Sequence, residues 1–374
     1  MPASHTLTAS EREWLRVRSY LQEHRYDLAV EAAEEYPRDR RIAGTPLLGA
    51  AEWGPAAPIP LRSIDLTFQS ANADHLATGA YVEETAELLP ERQDGTRYLR
   101  YSDVVKELTS PTVFENRSTY RLTGADLRSA WPSMTFGRGR YFDGIDVGEA
   151  AAYEYVRVRL GDRAAGLRTL VADPCDLDRR PTNLAITTMT VRQDRDSGTA
   201  SFLLHWRDPA KVGHAGGLYQ VVPVGIFQPS GEAAWNEQND FSLWRCMLRE
   251  FAEELCGHSE DYGSEKRPID YASWPFARRL TSELDGGQVQ AWCLGLGTDP
   301  LTYATDLLTV VVIDSRVFDD LFSASPLGNA EGQILAAQEF DAKVIDRITT
   351  REPMQAAGAA VLRLAWRHRR QLLT

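Results

Sequence analysis

Residues 241–255 read FSLWRCMLREFAEEL and are the most strongly patterned segment of the chain. Apolar side chains recur there every three or four positions, a spacing that predicts an amphipathic helix with one buried stripe. The stripe consists of Trp244, Met247, Leu248, Phe251 and Leu255. The segment therefore predicts a helix that packs by one face against the rest of its domain.

Three glutamates share another face of this predicted helix. Glu250, Glu253 and Glu254 stand at positions i, i+3 and i+4, which are neighbours on a helix surface. Clustered carboxylates repel one another, and Arg249 relieves part of that repulsion through an i,i+4 pair with Glu253. A hard divalent cation would relieve more, because Mg²⁺ and Mn²⁺ prefer oxygen ligands. The cluster is a candidate metal platform, and a solvated acidic face is the alternative.

The segments around this helix are typical of strands. Runs rich in β-branched and aromatic residues precede and follow it, as in a mixed sheet with helices packed on it. They cover residues 184–191, 201–206, 218–227, 288–296 and 307–313. Together with the helices, these runs predict an α+β fold class.

The hexad from Arg249 to Glu254, preceded by the strand-like residues 221–225 (VVPVG), resembles the signature of the Nudix hydrolase superfamily. The signature runs Gly-x5-Glu-x7-Arg-Glu-U-x-Glu-Glu-x-Gly-U, where U is apolar. Gly231 and Glu237 show the first spacing, but eleven residues rather than seven separate Glu237 from Arg249. The closing glycine also comes one residue late. The resemblance spans about residues 185–345 and implies a Nudix-like α/β/α sandwich with a mixed sheet.

The resemblance also implies a chemistry. Glu250, Glu253 and Glu254 would hold Mg²⁺ (or Mn²⁺), which neutralises the diphosphate of a nucleoside diphosphate-linked substrate while a carboxylate base activates water. Glu331, in a predicted loop after the last strand-like run, is the candidate base. A catalytically altered Nudix-like module that senses a ligand or binds a protein is the alternative, favoured by the lengthened box.

Residues just ahead of the central strand-like run are candidate substrate contacts. Arg207, Lys211 and Gly217 would bind phosphate there or form a surface turn. Arg249 completes the set of predicted substrate-binding residues. His205, in the same region, is a second candidate base or a structural histidine.

The chain divides into four predicted regions. Residues 1–45 form an N-terminal helical segment, in which Thr8 or Ser10 caps the first helix. Residues 46–160 form an N-terminal α+β region, and the Nudix-like domain covers 161–350. A C-terminal helix occupies 351–374.

Two stretches of the second region are dense in Arg, aromatic residues and Gly. They are 111–122 (PTVFENRSTYRL) and 136–146 (FGRGRYFDGID). Guanidinium groups bind phosphate and aromatic faces stack on planar rings, so this mixture suits an anion or a ring in a pocket. An ordinary surface with aromatic packing is the alternative.

Charge and hydropathy indicate the class of partner. The 374 residues include 53 acidic and 41 basic side chains, for a net charge of −12, which repels a nucleic-acid backbone. The N-terminal helices carry glutamates where a DNA-recognition helix needs Arg, Lys, Asn or Gln. The basic run 363–370 is read instead as part of a docked helix, so DNA is not a favoured partner.

Cysteines and apolar segments point to a cytoplasmic protein without a membrane partner. The four cysteines show no metal-binding or disulfide spacing, and no segment reaches the roughly 20 apolar residues of a membrane span. The predicted partner is a small nucleotide-like ligand. A homodimer is one assembly consistent with this interpretation.

Overall fold

Helices and short strands make up the described part of the molecule and confirm the predicted α+β fold class. The computed structural model describes residues 7–69, 82–111, 114–207, 217–322, 332–335 and 337–374. The helices are α1 (Ala9–Glu23), α2 (Arg25–Ala33), α3 (Val82–Ala86), α4 (Tyr101–Thr109), α5 (Tyr141–Gly144), α6 (Ala150–Arg159), α7 (Leu167–Val171), α8 (Ala234–Asn239), α9 (Leu243–Glu250), α10 (Pro275–Asp285), α11 (Ser315–Phe322), α12 (Ala342–Arg351), α13 (Ala356–Arg367) and α14 (Arg369–Leu372). Two π-helical turns are Ile145–Glu149, between α5 and α6, and Phe251–Leu255, after α9.

The strands belong to three sheets. They are β1 (Ile59–Pro60), β2 (Asp65–Phe68), β3 (Ser118–Asp126), β4 (Ser133–Arg140), β5 (Leu184–Asp194), β6 (Thr199–Phe202), β7 (Leu204–Arg207), β8 (Tyr219–Val221), β9 (Val224–Ile226), β10 (Val289–Thr298), β11 (Thr305–Asp314), β12 (Gly332–Ile334) and β13 (Gln338–Glu339). The largest sheet has the order β1-β10-β11-β5-β6-β13, with β9 paired to the first residues of β5. β11 and β5 run parallel, whereas the other neighbours in this sheet are antiparallel.

This central sheet is covered by helices on both faces. Successive side chains of a strand point to opposite faces, and β11 is apolar on both. Leu307 and Val311 pack in one core with α9 and α10, whereas Leu308 and Val310 pack in another core with α13. The arrangement is an α/β/α sandwich with a mixed sheet, as predicted.

The helix predicted over residues 241–255 has the expected apolar stripe. Ser242 caps it, because its hydroxyl accepts a hydrogen bond from the Arg245 backbone N–H at 3.4 Å. All five stripe residues are buried. After Glu250 the helix widens into a π-helical turn, and Gly257 follows with a left-handed φ of 68°.

The N-terminal helices form a separate core beside the sandwich. Thr8, one of the two predicted caps, caps α1, and it forms a capping box with Glu11. Trp14 of α1 stacks on Tyr153 of α6 with ring centroids 5.5 Å apart. Arg25 of α2 donates to both carboxylate oxygens of Glu149 at 3.0 Å, in the π-helical turn. The first two helices are thereby tied to the segment that carries Glu149.

The sheet β2-β4-β3 packs against the sandwich instead. Tyr120 and Phe136 form an aromatic cluster with Phe227 and Phe241, with ring centroids 4.5 to 5.7 Å apart. Edge and offset contacts of this kind stabilise a core beyond the area they bury. This sheet therefore belongs to the same core as α9.

The C-terminal helix is divided in two. α13 ends before His368 and α14 follows, and the predicted apolar face is buried against the central sheet. Arg363 of the basic run donates to the backbone oxygens of Ala43 and Gly44 at 3.2 and 3.1 Å. Among the described residues, every helix is too short or too polar to cross a bilayer.

Candidate functional site

A cleft of about 340 Å³ lies where the central sheet meets α5 and the π-helical turn that follows it. One wall is the turn from α5 into the following π-helical turn, and the opposite wall is α9 with β9. The first residues of β5 and β11 also line it. Its lining includes Arg117, Tyr141, Glu250, Glu253, Tyr262, Asp306 and Gln355.

Glu250 lies in this cleft directly over the backbone of β9. A Cβ atom added at Gly225 would overlap the Glu250 carboxylate, so only glycine leaves room for that side chain. Gly225 is on the strand that the resemblance places just before the box. The strand and the last turn of the helix are therefore fitted to each other around one carboxylate.

Glu253 lines the same cleft one turn later. The Tyr262 hydroxyl donates a hydrogen bond to its Oε1 at 2.7 Å, which orients the carboxylate. Burial raises the pKa of Glu253 to about 7, although the bond from Tyr262 opposes that shift. A carboxyl group with a raised pKa in a cleft is typical of functional sites.

The Glu254 carboxylate does not line the cleft. Its Oε1 accepts a hydrogen bond from the Val224 backbone N–H at 2.7 Å, and its Oε2 lies 3.8 Å from Nδ1 of the buried His205. It is absent from the cleft lining, so the structure brings two of the three predicted glutamates to the cleft. The hydrogen bond from the Val224 backbone holds the Glu254 carboxylate outside the cleft lining.

The described residues contain no group of three or more His, Cys, Asp or Glu side chains arranged to hold a metal ion. Two cleft carboxylates, Glu250 and Glu253, are nevertheless a donor set of the right kind for Mg²⁺. This ion keeps several waters and is commonly bound by one or two carboxylates together with substrate phosphates. The two carboxylates therefore fit a cation whose remaining coordination positions are filled by water and by the phosphate groups of a ligand.

Arg249 has a structural environment. It is 4% exposed and donates to the Tyr271 hydroxyl at 2.7 Å and to the Gln228 carbonyl oxygen at 2.6 Å. Its ion-pair partner is Asp240 at 3.7 Å, instead of Glu253 as the spacing predicted. Arg249 is part of the cleft lining, but its guanidinium is held by the buried Asp240, Tyr271 and Gln228.

The remaining predicted site residues are placed as follows. Lys211 and Glu331 lie outside the described residues, as does the side chain of Arg207, whose backbone belongs to β7. Gly217 stands at a turn before β8 with a φ of 80°. Glu237 of the predicted box pairs with Arg138 outside the cleft lining, through bonds of 2.6 and 3.0 Å.

The two Arg- and aromatic-rich stretches both reach the cleft. Arg117, from the first, lines the cleft and pairs with Glu115 and Glu260 at 3.1 and 2.9 Å. Tyr141, from the second, lines the wall opposite α9. These contacts are consistent with the pocket interpretation of the two stretches.

Sequence reasoning missed the far end of the cleft. Asp306 on β11 is 8% exposed, and the Thr187 hydroxyl donates to its Oδ1 at 2.6 Å. Burial, with a smaller contribution from the Asp299 carboxylate, raises the pKa of Asp306 to about 7. The signal in the sequence is a lone aspartate at the start of an otherwise apolar strand, DLLTVVVI.

Replacement of Asp306 with asparagine is expected to change the dependence of stability on pH. In the folded protein the Asp306 carboxyl group keeps its proton up to about pH 7. In the unfolded chain the same group ionises at about pH 3.9, as in model peptides. The folded chain binds the extra proton between these values, so its free energy of unfolding falls as pH rises through the window. One pKa unit corresponds to about 1.4 kcal/mol. The free energy of unfolding of Asp306→Asn, measured relative to the wild type, should therefore rise by about 2–3 kcal/mol from pH 5 to pH 8.

Urea denaturation at each pH measures this difference. Glu283→Gln, at a half-buried carboxylate of α10 that pairs with Arg279, serves as the control and should follow the wild type across the range. A constant gap between Asp306→Asn and the wild type from pH 5 to 8 would contradict the assignment.

Comparison of the sequence with models of known protein families gives no match, and a search of curated proteins also gives none. The function is therefore argued from the cleft and its residues.

Proposed function

We propose that the chain is a divergent Nudix-like hydrolase that cleaves a nucleoside diphosphate-linked substrate with the help of Mg²⁺. One observation carries the proposal: the Glu250 carboxylate is seated on Gly225 of β9, in a cleft that also contains Glu253. The order of strand, loop and carboxylate-bearing helix is that of the resembled signature. The α/β/α sandwich around it is the architecture the resemblance implies.

The cation would be held by Glu250 and Glu253. It would neutralise the diphosphate and polarise the phosphorus that water attacks. Tyr262 fixes the rotamer of Glu253 by its 2.7 Å hydrogen bond, and Gly225 leaves the space that Glu250 occupies.

A second candidate function is a Nudix-like module that binds a nucleotide without hydrolysing it. The observation that favours it is the engagement of Glu254 with the Val224 N–H and His205, away from the cleft. A site with two carboxylates could hold a metal–ligand complex and yet lack a group that activates water. Turnover and binding must therefore be measured separately.

Hydrolysis is tested on ADP-ribose, NADH, nucleotide sugars and nucleoside triphosphates, with and without Mg²⁺. We expect phosphate-containing product only with Mg²⁺, and a loss of about 100-fold or more in kcat/KM for Glu250→Gln and for Glu253→Gln. Both substitutions keep the side-chain shape and remove the charge that binds the cation.

The matched control is Glu283→Gln, which removes a carboxylate of α10 outside the cleft lining and should leave turnover unchanged. Metal-dependent nucleotide binding without turnover would select the second candidate. No turnover and no metal-dependent binding on the whole panel would refute both.

A further inference from the structure

The cleft extends around the ends of the strands from one face of the sheet to the other. Gly225 and Ile186 are register partners, and Ile186 packs in the core beside α9. Asp306 and Ala185 are register partners as well, one position earlier on β5, so they point to the opposite face. Glu250 and Asp306 thus line opposite ends of one continuous cleft.

When Asp306 is ionised, the far end offers one hydrogen-bond acceptor. Asp306 uses Oδ1 for the Thr187 hydroxyl, and no other described residue bonds its Oδ2. The side chain also lines a smaller cavity of about 50 Å³ that adjoins the cleft. Oδ2 therefore keeps its hydrogen-bonding capacity for a ligand or water in these two cavities.

The far end also offers one donor. The Val221 backbone N–H donates to Oε1 of Gln220 at 3.0 Å, so the Gln220 amide nitrogen must face away and donate to Oε1 of Gln355. That bond leaves the Gln355 amide nitrogen with no acceptor among the described residues. Gln355 lines the same two cavities as Asp306.

We infer that Asp306 and Gln355 form a specificity site for a planar group that presents a hydrogen-bond donor beside an acceptor. A carboxamide and the amino-pyrimidine edge of adenine share this chemistry, since each places an N–H next to a lone pair. The inference rests on the proposed function, because it assigns the neutral end of the nucleotide ligand. β9 and β11 lie two strands apart, about 10 Å, which separates this end from the carboxylates that bind the cation.

Two other polar side chains of the lining, Arg180 and Asn183, are already engaged within the protein, whereas the buried Tyr303 hydroxyl has no hydrogen-bond partner among the described residues. Arg180 donates to the Pro174 carbonyl oxygen and to the Thr305 hydroxyl, each at 2.8 Å. Asn183 donates to the backbone oxygens of Arg140 and Tyr141. These groups shape the cavity, whereas Asp306 and Gln355 retain hydrogen-bonding capacity for a ligand.

Calorimetric titration with two matched pairs of nucleotides tests the inference in the presence of Mg²⁺, at a pH of about 8.5 at which Asp306 is ionised. ADP is compared with IDP, in which a keto group replaces the amino group, and nicotinamide mononucleotide is compared with nicotinic acid mononucleotide. We expect at least one amino or amide member to bind about fivefold or more tighter than its partner. The pair that shows the difference identifies the recognised group as adenine or as the carboxamide.

Asp306→Asn and Gln355→Glu should each reduce that ratio to near one, because each changes the order of donor and acceptor without changing shape. Glu260→Gln, at a carboxylate paired with Arg117 in the same cleft, should change both affinities together and leave the ratio intact.

Two failures are distinguishable. Binding that needs Mg²⁺ and Glu250 but shows no discrimination, or discrimination unaffected by both variants, would overturn this inference alone. Absence of binding by all four nucleotides would overturn it together with the proposed function.

Discussion

Gly225→Ala is expected to abolish Mg²⁺-dependent turnover and to weaken metal-dependent nucleotide binding. The added methyl group would overlap the Glu250 carboxylate, which must rotate away or push β9 from the helix. Displacement of a reacting group by about 1 Å can cost about 100-fold in rate, so we expect at least that loss in kcat/KM. Overpacking of this kind typically also costs about 1–3 kcal/mol of stability, which denaturant unfolding would report.

The control for this substitution is Gly54→Ala. Gly54 has a φ of −101°, and an added Cβ meets no atom within 4 Å, so stability and turnover should stay near the wild-type values. Full activity in Gly225→Ala would show that Glu250 does not act from the position seen here.

Arg249→Met is expected to destabilise the fold strongly, by about 3–5 kcal/mol. The substitution leaves the carboxylate of Asp240 buried without its cation and removes donors to Gln228 and Tyr271. The Gln228 carbonyl belongs to the loop that lines the cleft, so nucleotide affinity should fall as well. Urea unfolding measures the first effect and calorimetric titration measures the second.

A double-mutant cycle separates the buried ion pair from general damage. Arg249→Met combined with Asp240→Asn should be less destabilised than the sum of the two single changes, because neither charge is then left alone. The pair of the exposed Arg279 with Glu283 on α10 offers a control, since Arg279→Met should cost about 0.5 kcal/mol or less. Strict additivity of Arg249→Met and Asp240→Asn would contradict a direct charge interaction.

Local patterns predicted the α+β class and the main elements of the sandwich. The apolar spacing from Trp244 to Leu255 specified the buried helical stripe. The β-branched runs marked most strands of the central sheet, although the runs 201–206 and 218–227 each divide between that sheet and the sheet β12-β7-β8. These signals are local because the burial of one helical face or of two strand faces depends on the spacing of neighbouring residues. Thr8 was one of two predicted caps of α1 for the same reason.

The candidate site was only partly predictable. Three glutamates at i, i+3 and i+4 share a face in a regular α-helix, but Glu254 is bound by the Val224 backbone N–H and lies outside the cleft lining. The ion pair of Arg249 depends on Asp240, nine residues earlier, across a turn that helical spacing does not describe. Such departures are set by tertiary packing, which the spacing of a single helix cannot report.

The far end of the cleft depends on long-range register. Asp306 meets the cleft because β11 lies parallel to β5, and Gln355 meets it because α13 packs on the opposite face. More than a hundred residues separate Asp306 from its partner Thr187. Their proximity follows from strand order, which the sequence pattern leaves open.

The central claim is that Glu250 and Glu253 hold a divalent cation in the cleft. A crystal soaked with Mn²⁺ and ADP-ribose tests it directly through the anomalous signal of the metal. We predict a peak between the carboxylates of Glu250 and Glu253, in contact with the diphosphate, that disappears in Glu250→Gln. Bound nucleotide with no anomalous peak at these carboxylates would contradict the claim.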